Sequence, residues 1–596
     1  MKNFKRFTAA IAATLMAATL SVPMAMTASA ADETYKITVG EGAYDGYVVD
    51  GATHTYEAYQ IFTGTVVKDE DGALTGKLEG ISWGDAIDES KVYTELANIT
   101  IGTGAEEKTP FKKDGANMTS APEVAAALST GDDSELAKKF ADAVAARLKE
   151  GATATEISDE ANFAGGYYLI QDKSNSPAGT NAGAKTRYIL KVVGNATFQP
   201  KSGVPSVEKK VVENVKTSAD VFEIGAYKAT DGKLNDVADY CIGDTVPFEL
   251  IGTLPGAYDD YTSYFYQFTD TLGTQFDYQL ETTADGVTTK NYTISAVNKA
   301  ADGTVSTSDI TDRFTAGAVD GENNKFTFTC SDLKKVAGVT KDTVIVVRYN
   351  AVLNSSAVVG LNGQENKVDL TYSRNPNYKG EGSDTSEEDK GKTPEQKVIV
   401  FTYELDVTKY LDTEATKAAA NQAGFKLSRT VDGTTTYATL VDNKITGWVD
   451  AEASATEVKT AEDGKFSFIG LDDGTYVLKE TTTPVGYNTM EDLTLVIDAA
   501  TVNNQNWNGT PGTALTELKL WHGTKGTGDA TPINTAAKEG DKANGVVSDK
   551  IINKSGSTLP STGGIGTTLF YLAGGAMVAV AGIFLITKKR MNKDAE

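Results

Sequence analysis

The sequence predicts a mainly β chain organised as tandem β-sandwich domains, and three features predict it. Apolar and polar residues alternate through runs such as 325–330 (KFTFTC) and 343–348 (TVIVVR), the period of a strand with one buried face. Asp-Gly pairs at Asp71-Gly72, Asp432-Gly433, Asp463-Gly464 and Asp473-Gly474 mark tight turns between such runs. Helical periodicity does not alternate with the strands, which argues against a parallel α/β sheet. The 596 residues leave room for about three or four domains.

Composition narrows the function classes. Acidic side chains outnumber basic ones 81 to 56, for a net charge of −25. Such a surface repels nucleic-acid phosphates instead of releasing their counterions, so no nucleic-acid partner is expected. The chain has two histidines, His54 and His522, and two cysteines, Cys241 and Cys330. That is too few for most zinc sites or for Ser-His and Cys-His catalysis, and neither a cofactor nor a metal is expected. Cys241 and Cys330 fall in one domain of an exported chain, so a disulfide is expected between them, against the alternative of two buried thiols.

From the N-terminus, residues 1–30 have a basic start, an apolar middle and a small-residue end at Ala28-Ser29-Ala30, and read as a secretory signal peptide. The first body domain is expected over 31–203. Its one clear helix is expected at 134–150, where Leu136, Phe140, Val144 and Leu148 recur every four residues and Gly151 follows. Gly203-Val204-Pro205 punctuates the chain before a second domain over 204–382. The polar stretch 383–397 reads as a linker, and a third domain follows over 398–558. The second and third domains open on similar strands: Lys209 shares a face with Val207, and Lys409 with Val407. After the body, 567–587 is uncharged and long enough to cross a bilayer, and the basic tail 588–596 holds that end in the cytoplasm.

Just ahead of that span stand Leu559, Pro560, Ser561, Thr562 and Gly563. The order of pentapeptide, apolar span and basic tail resembles the LPxTG sorting signal of Gram-positive surface proteins. The resemblance implies that a sortase cysteine attacks the Thr562 carbonyl, releases Gly563 onward and passes the acyl group to an amine. The membrane anchor is then transient.

The most specific stretch of the body runs from Tyr476 to Tyr487 (YVLKETTTPVGY). Tyr476, Leu478 and Glu480 share one strand face, which aims a carboxyl group where apolar residues go, and an isolated buried carboxylate is costly. The stretch resembles the E-box (YxLxETxAPxGY) of CnaB-type pilin domains, with Thr483 standing where alanine is usual. In those immunoglobulin-like domains a first-strand lysine attacks a last-strand asparagine, ammonia leaves and an isopeptide bond remains. The resemblance assigns Lys409 as nucleophile, Glu480 as the acid that shuttles the proton, and Asn553 as acceptor. In the middle domain Tyr264, Tyr266, Phe268 and Asp270 alternate on one face, like the aspartate-bearing strand of CnaA-like pilin domains. Lys209 is then the nucleophile, Asp270 the acid and Asn366 the acceptor, with Asn375 as the alternative.

Residues 197–201 (TFQPK) resemble the pilin motif that ends the N-terminal domain, which makes Lys201 the expected sortase acceptor. The whole plan resembles a major fimbrial shaft subunit of the SpaA or FimA type, polymerised by a pilin-specific sortase and joined to peptidoglycan by a housekeeping one. It implies identical subunits in a head-to-tail polymer, accessory pilins as partners and adhesion to a host surface ligand as output. The alternative is a monomeric or tip adhesin binding a host glycan or matrix protein. A wall-anchored enzyme ranks last, because the only chemistry implied is self-directed.

Overall fold

The computed structural model describes residues between 33 and 556, leaving out internal stretches of which 173–186 and 199–202 are the most relevant. Strands dominate. The first unit is built on β1 (Tyr56–Lys68), which lies between β2 (Leu74–Trp83) and, through a bulge, β3 (Gly166–Asp172); β4 (Arg187–Val192) completes that edge. Helices α1 (Glu89–Leu96), α2 (Ala121–Leu128) and α3 (Ser134–Ala145) pack Val92, Leu96, Val124, Phe140 and Val144 against Ile61, Phe62 and Leu169. The helix expected at 134–150 stops at Ala145. Beyond it Leu148 bridges to Ile87 and Arg147 grips Glu95, so tertiary pairing replaces the last helical turn. Gly151 then turns the chain at a φ of 75°.

The middle unit is a sandwich of two seven-stranded sheets. One sheet places β5 (Val207–Val212) beside β6 (Thr245–Gly252), then β7 (Tyr292–Lys299) beyond β8 (Val344–Leu353). The other orders β9 (Gln396–Phe401), β10 (Gln364–Ser373), β11 (Tyr266–Thr271) and β12 (Lys325–Cys330). Val207, Lys209 and Val211 face the core from the first sheet, and Tyr264, Tyr266, Phe268 and Asp270 are buried on the second, as their alternation predicts.

The expected linker 383–397 does not hold along its whole length. Lys390–Lys392 is a strand paired with β10, and β9, which starts at Gln396, lies between β10 and Val237–Asp239. The lysines that made the stretch look solvated point to carboxylates on β10: Lys392 to Asp369 at 2.9 Å and Lys397 to Glu365 at 2.6 Å. Val398 to Phe401 are all buried. Thr402 alone separates β9 from the first strand of the next unit.

That unit is one 12-stranded ladder. Its first strand, β13 (Tyr403–Leu411), pairs antiparallel with β14 (Lys465–Leu471) on one side. On the other side it pairs parallel with the last strand, β15 (Val546–Asn553). Between them in sequence run β16 (Gly424–Val431), β17 (Gly474–Thr482), β18 (Leu493–Thr501) and β19 (Leu515–His522), although in chain order β16 precedes β14. A single apolar core continues from the middle unit into this one.

The expected disulfide is absent: Cys241 and Cys330 are both free and buried. Cys330 ends β12 opposite Tyr266, whereas Cys241 lies at the junction of the two units, 3.3 Å from the Tyr476 hydroxyl and accepting the Asp472 N–H at 3.2 Å. Each has its own surroundings. Burial pushes both thiols up, Cys330 to about 11, so neither is a thiolate poised to oxidise.

Candidate functional site: two buried lysine clusters

In each cluster a first-strand lysine meets an acid and an asparagine inside its unit's core. In the C-terminal unit Lys409, Glu480 and Asn553 come from β13, β17 and β15, and all three are buried. The parallel register pairs Lys409 with Ile551 and Leu411 with Asn553, so the two reacting side chains start two residues apart on neighbouring strands. The Lys409 amine donates to Asn553 Oδ1 and lies 3.4 Å from Glu480 Oε1. The Asn553 Nδ2 donates to Glu480 at 2.8 and 3.0 Å. Burial lowers the Lys409 pKa, and the nearby Glu480 charge only partly opposes that. The Phe425 ring lies 5.3 Å from the amine, and the backbone N–H of Met490 donates to Glu480 at 2.8 Å. Thr483, the one departure from the E-box pattern, turns its hydroxyl toward Glu480 Oε2 at 3.4 Å and adds a donor to the acid.

In the middle unit Lys209 comes from one sheet, and Asp270 and Asn366 from the other. Asp270 stands opposite Val368, which sets Asn366 two residues along β10 on the same inward face. Lys209 is ion-paired with Asp270, and the side chains of both are fully buried. Desolvation lowers the Lys209 pKa to about 8 and raises that of Asp270, so the burial drives both members toward their neutral forms. Asn375, the alternative acceptor, lies beyond the end of β10, where its carbonyl accepts the Tyr378 N–H.

A fourth member escapes sequence reasoning. The Tyr349 hydroxyl receives Asn366 Nδ2 at 2.8 Å and Lys209 Nζ at 3.2 Å, and donates to Asp270 Oδ2 at 3.1 Å. Its signal is the alternation of Ile345, Val347, Tyr349 and Ala351, which puts the tyrosine on the inward face of β8. A buried tyrosine needs a partner for its hydroxyl, and the parity of the run shows which wall that partner must come from.

Among the described residues one carboxylate group is close enough to hold a metal: Asp239, Asp472 and Asp473, all buried at the junction of the last two units. Asp239 accepts the Tyr403 hydroxyl at 2.8 Å, and Asp472 accepts the Asn214 amide and the Asp473 N–H, each at 2.8 Å. Burial, then the neighbouring Asp239 and Asp473, raise the Asp472 pKa well above its usual value. Those hydrogen bonds tie the junction together.

The signal peptide at 1–30, Lys201, the pentapeptide Leu559 to Gly563, the span 567–587 and the tail 588–596 lie outside the described residues. No helix among the described residues is long and apolar enough to cross a membrane.

Comparison with known proteins yields two family matches. Residues 406–510 match the SpaA prealbumin-like fold domain, and 551–593 match the LPXTG cell wall anchor motif. These matches place a SpaA-type prealbumin-like fold domain ahead of an LPXTG cell wall anchor motif, the order of a cell-wall-anchored surface protein. No curated protein matches. Among solved structures the chain is similar to the pilus 2b backbone protein of group B streptococcus, at 24% identity over 54% of this chain and 97% of that one, with a TM-score of 0.34. It is also similar to the T6 backbone pilin of serotype M6 Streptococcus pyogenes, at 16% identity over 88% and 98%, with a TM-score of 0.46. The major pilin SpaD of Corynebacterium diphtheriae matches at 15% identity over 88% and 98%, with a TM-score of 0.41.

Proposed function

We propose that the chain is the structural backbone subunit of a covalently polymerised, cell-wall-anchored fimbria serving adhesion and colonisation. The observation that carries this reading is the buried contact of Lys409, Glu480 and Asn553 between the first and last strands of the unit next to the anchor. A desolvated amine has a lone pair to attack with. Attack on Asn553 Cγ forms the Nζ–Cγ bond, and the Cγ–Nδ2 bond breaks as ammonia leaves. One proton must pass from Nζ to Nδ2, and Glu480 touches both nitrogens. Lys209, Asp270 and Asn366 supply the same chemistry to the middle unit, with Asp270 as the acid.

Successive subunits are joined by different chemistry. Lys201 must stay accessible so that its amine can attack the Thr562 acyl-sortase of the next subunit. Donor and acceptor at separate places on one chain make a head-to-tail contact that never closes, hence a filament. A pilin-specific sortase performs that step, a housekeeping sortase passes the last subunit to peptidoglycan, and accessory pilins share the fibre.

Two measurements test this. The full chain from a sortase-deficient strain is expected to weigh about 34 Da less than its signal-cleaved sequence, because each bond expels one ammonia of about 17 Da. With sortases present, boiled wall extracts should give a high-mass ladder that Lys201→Ala abolishes. A single band instead supports the monomeric or tip adhesin, and a full-weight chain rules out the internal bonds.

A further inference from the structure

The two clusters solve one problem with acids of different length. Glu480 itself holds the nitrogen that must leave, at 2.8 Å. Asp270 is one methylene shorter. In the middle unit the leaving nitrogen of Asn366 is held by the Tyr349 hydroxyl at 2.8 Å, and that hydroxyl in turn donates to Asp270 at 3.1 Å. The same oxygen lies 3.2 Å from the attacking amine of Lys209. One donor used and two lone pairs filled is the full capacity of a phenol. We infer that Tyr349 is a catalytic proton relay, bridging Asp270 to the leaving nitrogen of Asn366 in the bond-forming reaction of the middle unit.

This inference rests on the isopeptide reading given above. Lys209 passes a proton to Asp270 and attacks Asn366 Cγ. As the carbon becomes tetrahedral, Nδ2 loses amide resonance and turns basic. Tyr349 then gives its proton to Nδ2 and takes the one held by Asp270. The Cγ–Nδ2 bond breaks and ammonia leaves. Asp270 recovers a proton from the new Nζ–Cγ linkage, so one proton has moved from Nζ to Nδ2 and both helpers end as they stood at the moment of attack. Burial keeps the phenol pKa well above 10, so the hydroxyl stays neutral and is able to hand a proton in either direction. Packing fixes the ring in the orientation a relay needs, since it stacks on Phe248 at 5.5 Å and meets Phe326 edge-on at 5.5 Å.

Tyr349→Phe keeps that ring and deletes only its hydroxyl. In the full chain from a sortase-deficient strain, this variant is expected to show a deficit of about 17 Da in place of about 34 Da, with middle-unit bond formation slowed about 100-fold. Its thermal midpoint should equal that of Asn366→Ala, which is unlinked for a reason unrelated to the tyrosine. Adding Asp270→Glu to Tyr349→Phe supplies the missing methylene and should restore the second loss. A second bond formed at the wild-type rate in Tyr349→Phe overturns the relay. So does a midpoint well below that of Asn366→Ala, or a double variant that stays unlinked, since either makes the role one of packing. A wild-type chain that lacks the middle-unit loss overturns the bond itself, which is a separate failure.

Discussion

At the scale of single residues, the molecule places Lys209 and Lys409 inside apolar cores, where lysines are rarely found, and sets an acid beside each. The buried ammonium of Lys209 has its pKa lowered to about 8, against 10.5 for an exposed lysine. The consequence for stability has a definite sign. Between those values the unfolded chain binds a proton that the folded chain does not, so stability rises with pH. In Asn366→Ala, where no bond masks the effect, the thermal midpoint of the middle unit should climb from pH 8 toward pH 10. A flat or falling midpoint would mean that Lys209 stays charged. Glu480→Ala addresses the other cluster: it should abolish the loss of ammonia at Asn553 while the middle-unit loss persists. Much of this was legible in the sequence. Parity alone put Lys209, Lys409, Asp270 and Glu480 on inward faces, because a strand alternates without exception until a bulge intervenes. Tyr349 was not legible as a partner, since nothing local says which residue lies across a sandwich.

At the scale of elements, the outcome depends on which strands are neighbours. The parallel pairing of β13 with β15 brings the two ends of the C-terminal unit side by side; the E-box resemblance named Lys409 and Asn553 as partners, but no sequence pattern gave the register that joins strands 144 residues apart. The run at 383–397 misled for a related reason. Charged side chains on an outward face look like solvated loop until their cross-strand carboxylates are known, as for Lys392 with Asp369. The helix at 134–150 ended early because Leu148 was drawn into a bridge with Ile87. The strand pairing also yields a prediction. A bond from Lys409 to Asn553 closes a loop of 144 residues, which by analogy with disulfides restricts the unfolded chain by about 5 kcal/mol. Asn553→Ala keeps the ladder and removes the closure. β15 should then fray first, and limited trypsin digestion should cut at Lys550 or Lys554 in the variant while sparing the wild type. Equal resistance of the two would show that the ladder alone holds the strand.

At the scale of the whole molecule, the proposed fibre would pass tension between units as well as through them. Within the C-terminal unit, the proposed Lys409–Asn553 bond would carry load past the intervening chain. Between the middle and C-terminal units the short peptide connection at Thr402 is backed by specific non-covalent contacts. Arg429 on β16 grips the Asp244 carboxylate with two N–H groups, one at 2.7 Å, while its guanidinium lies 4.1 Å from the Trp448 ring. Asn214 reaches across to Asp472 at 2.8 Å, and the Ile242 N–H donates to the Gly470 carbonyl at 3.0 Å. With an apolar core that runs on across this junction, the two units are built to unfold together. Arg429→Ala would leave Asp244 largely buried without its cation, a loss of about 3 kcal/mol concentrated at the junction. Calorimetry of the full chain should therefore show one transition for these two units in the wild type and two in Arg429→Ala, with the ammonia losses at both clusters unchanged. One transition at an unaltered temperature would mean that the units are coupled through the continuous core and that the ion pair adds no rigidity to the junction.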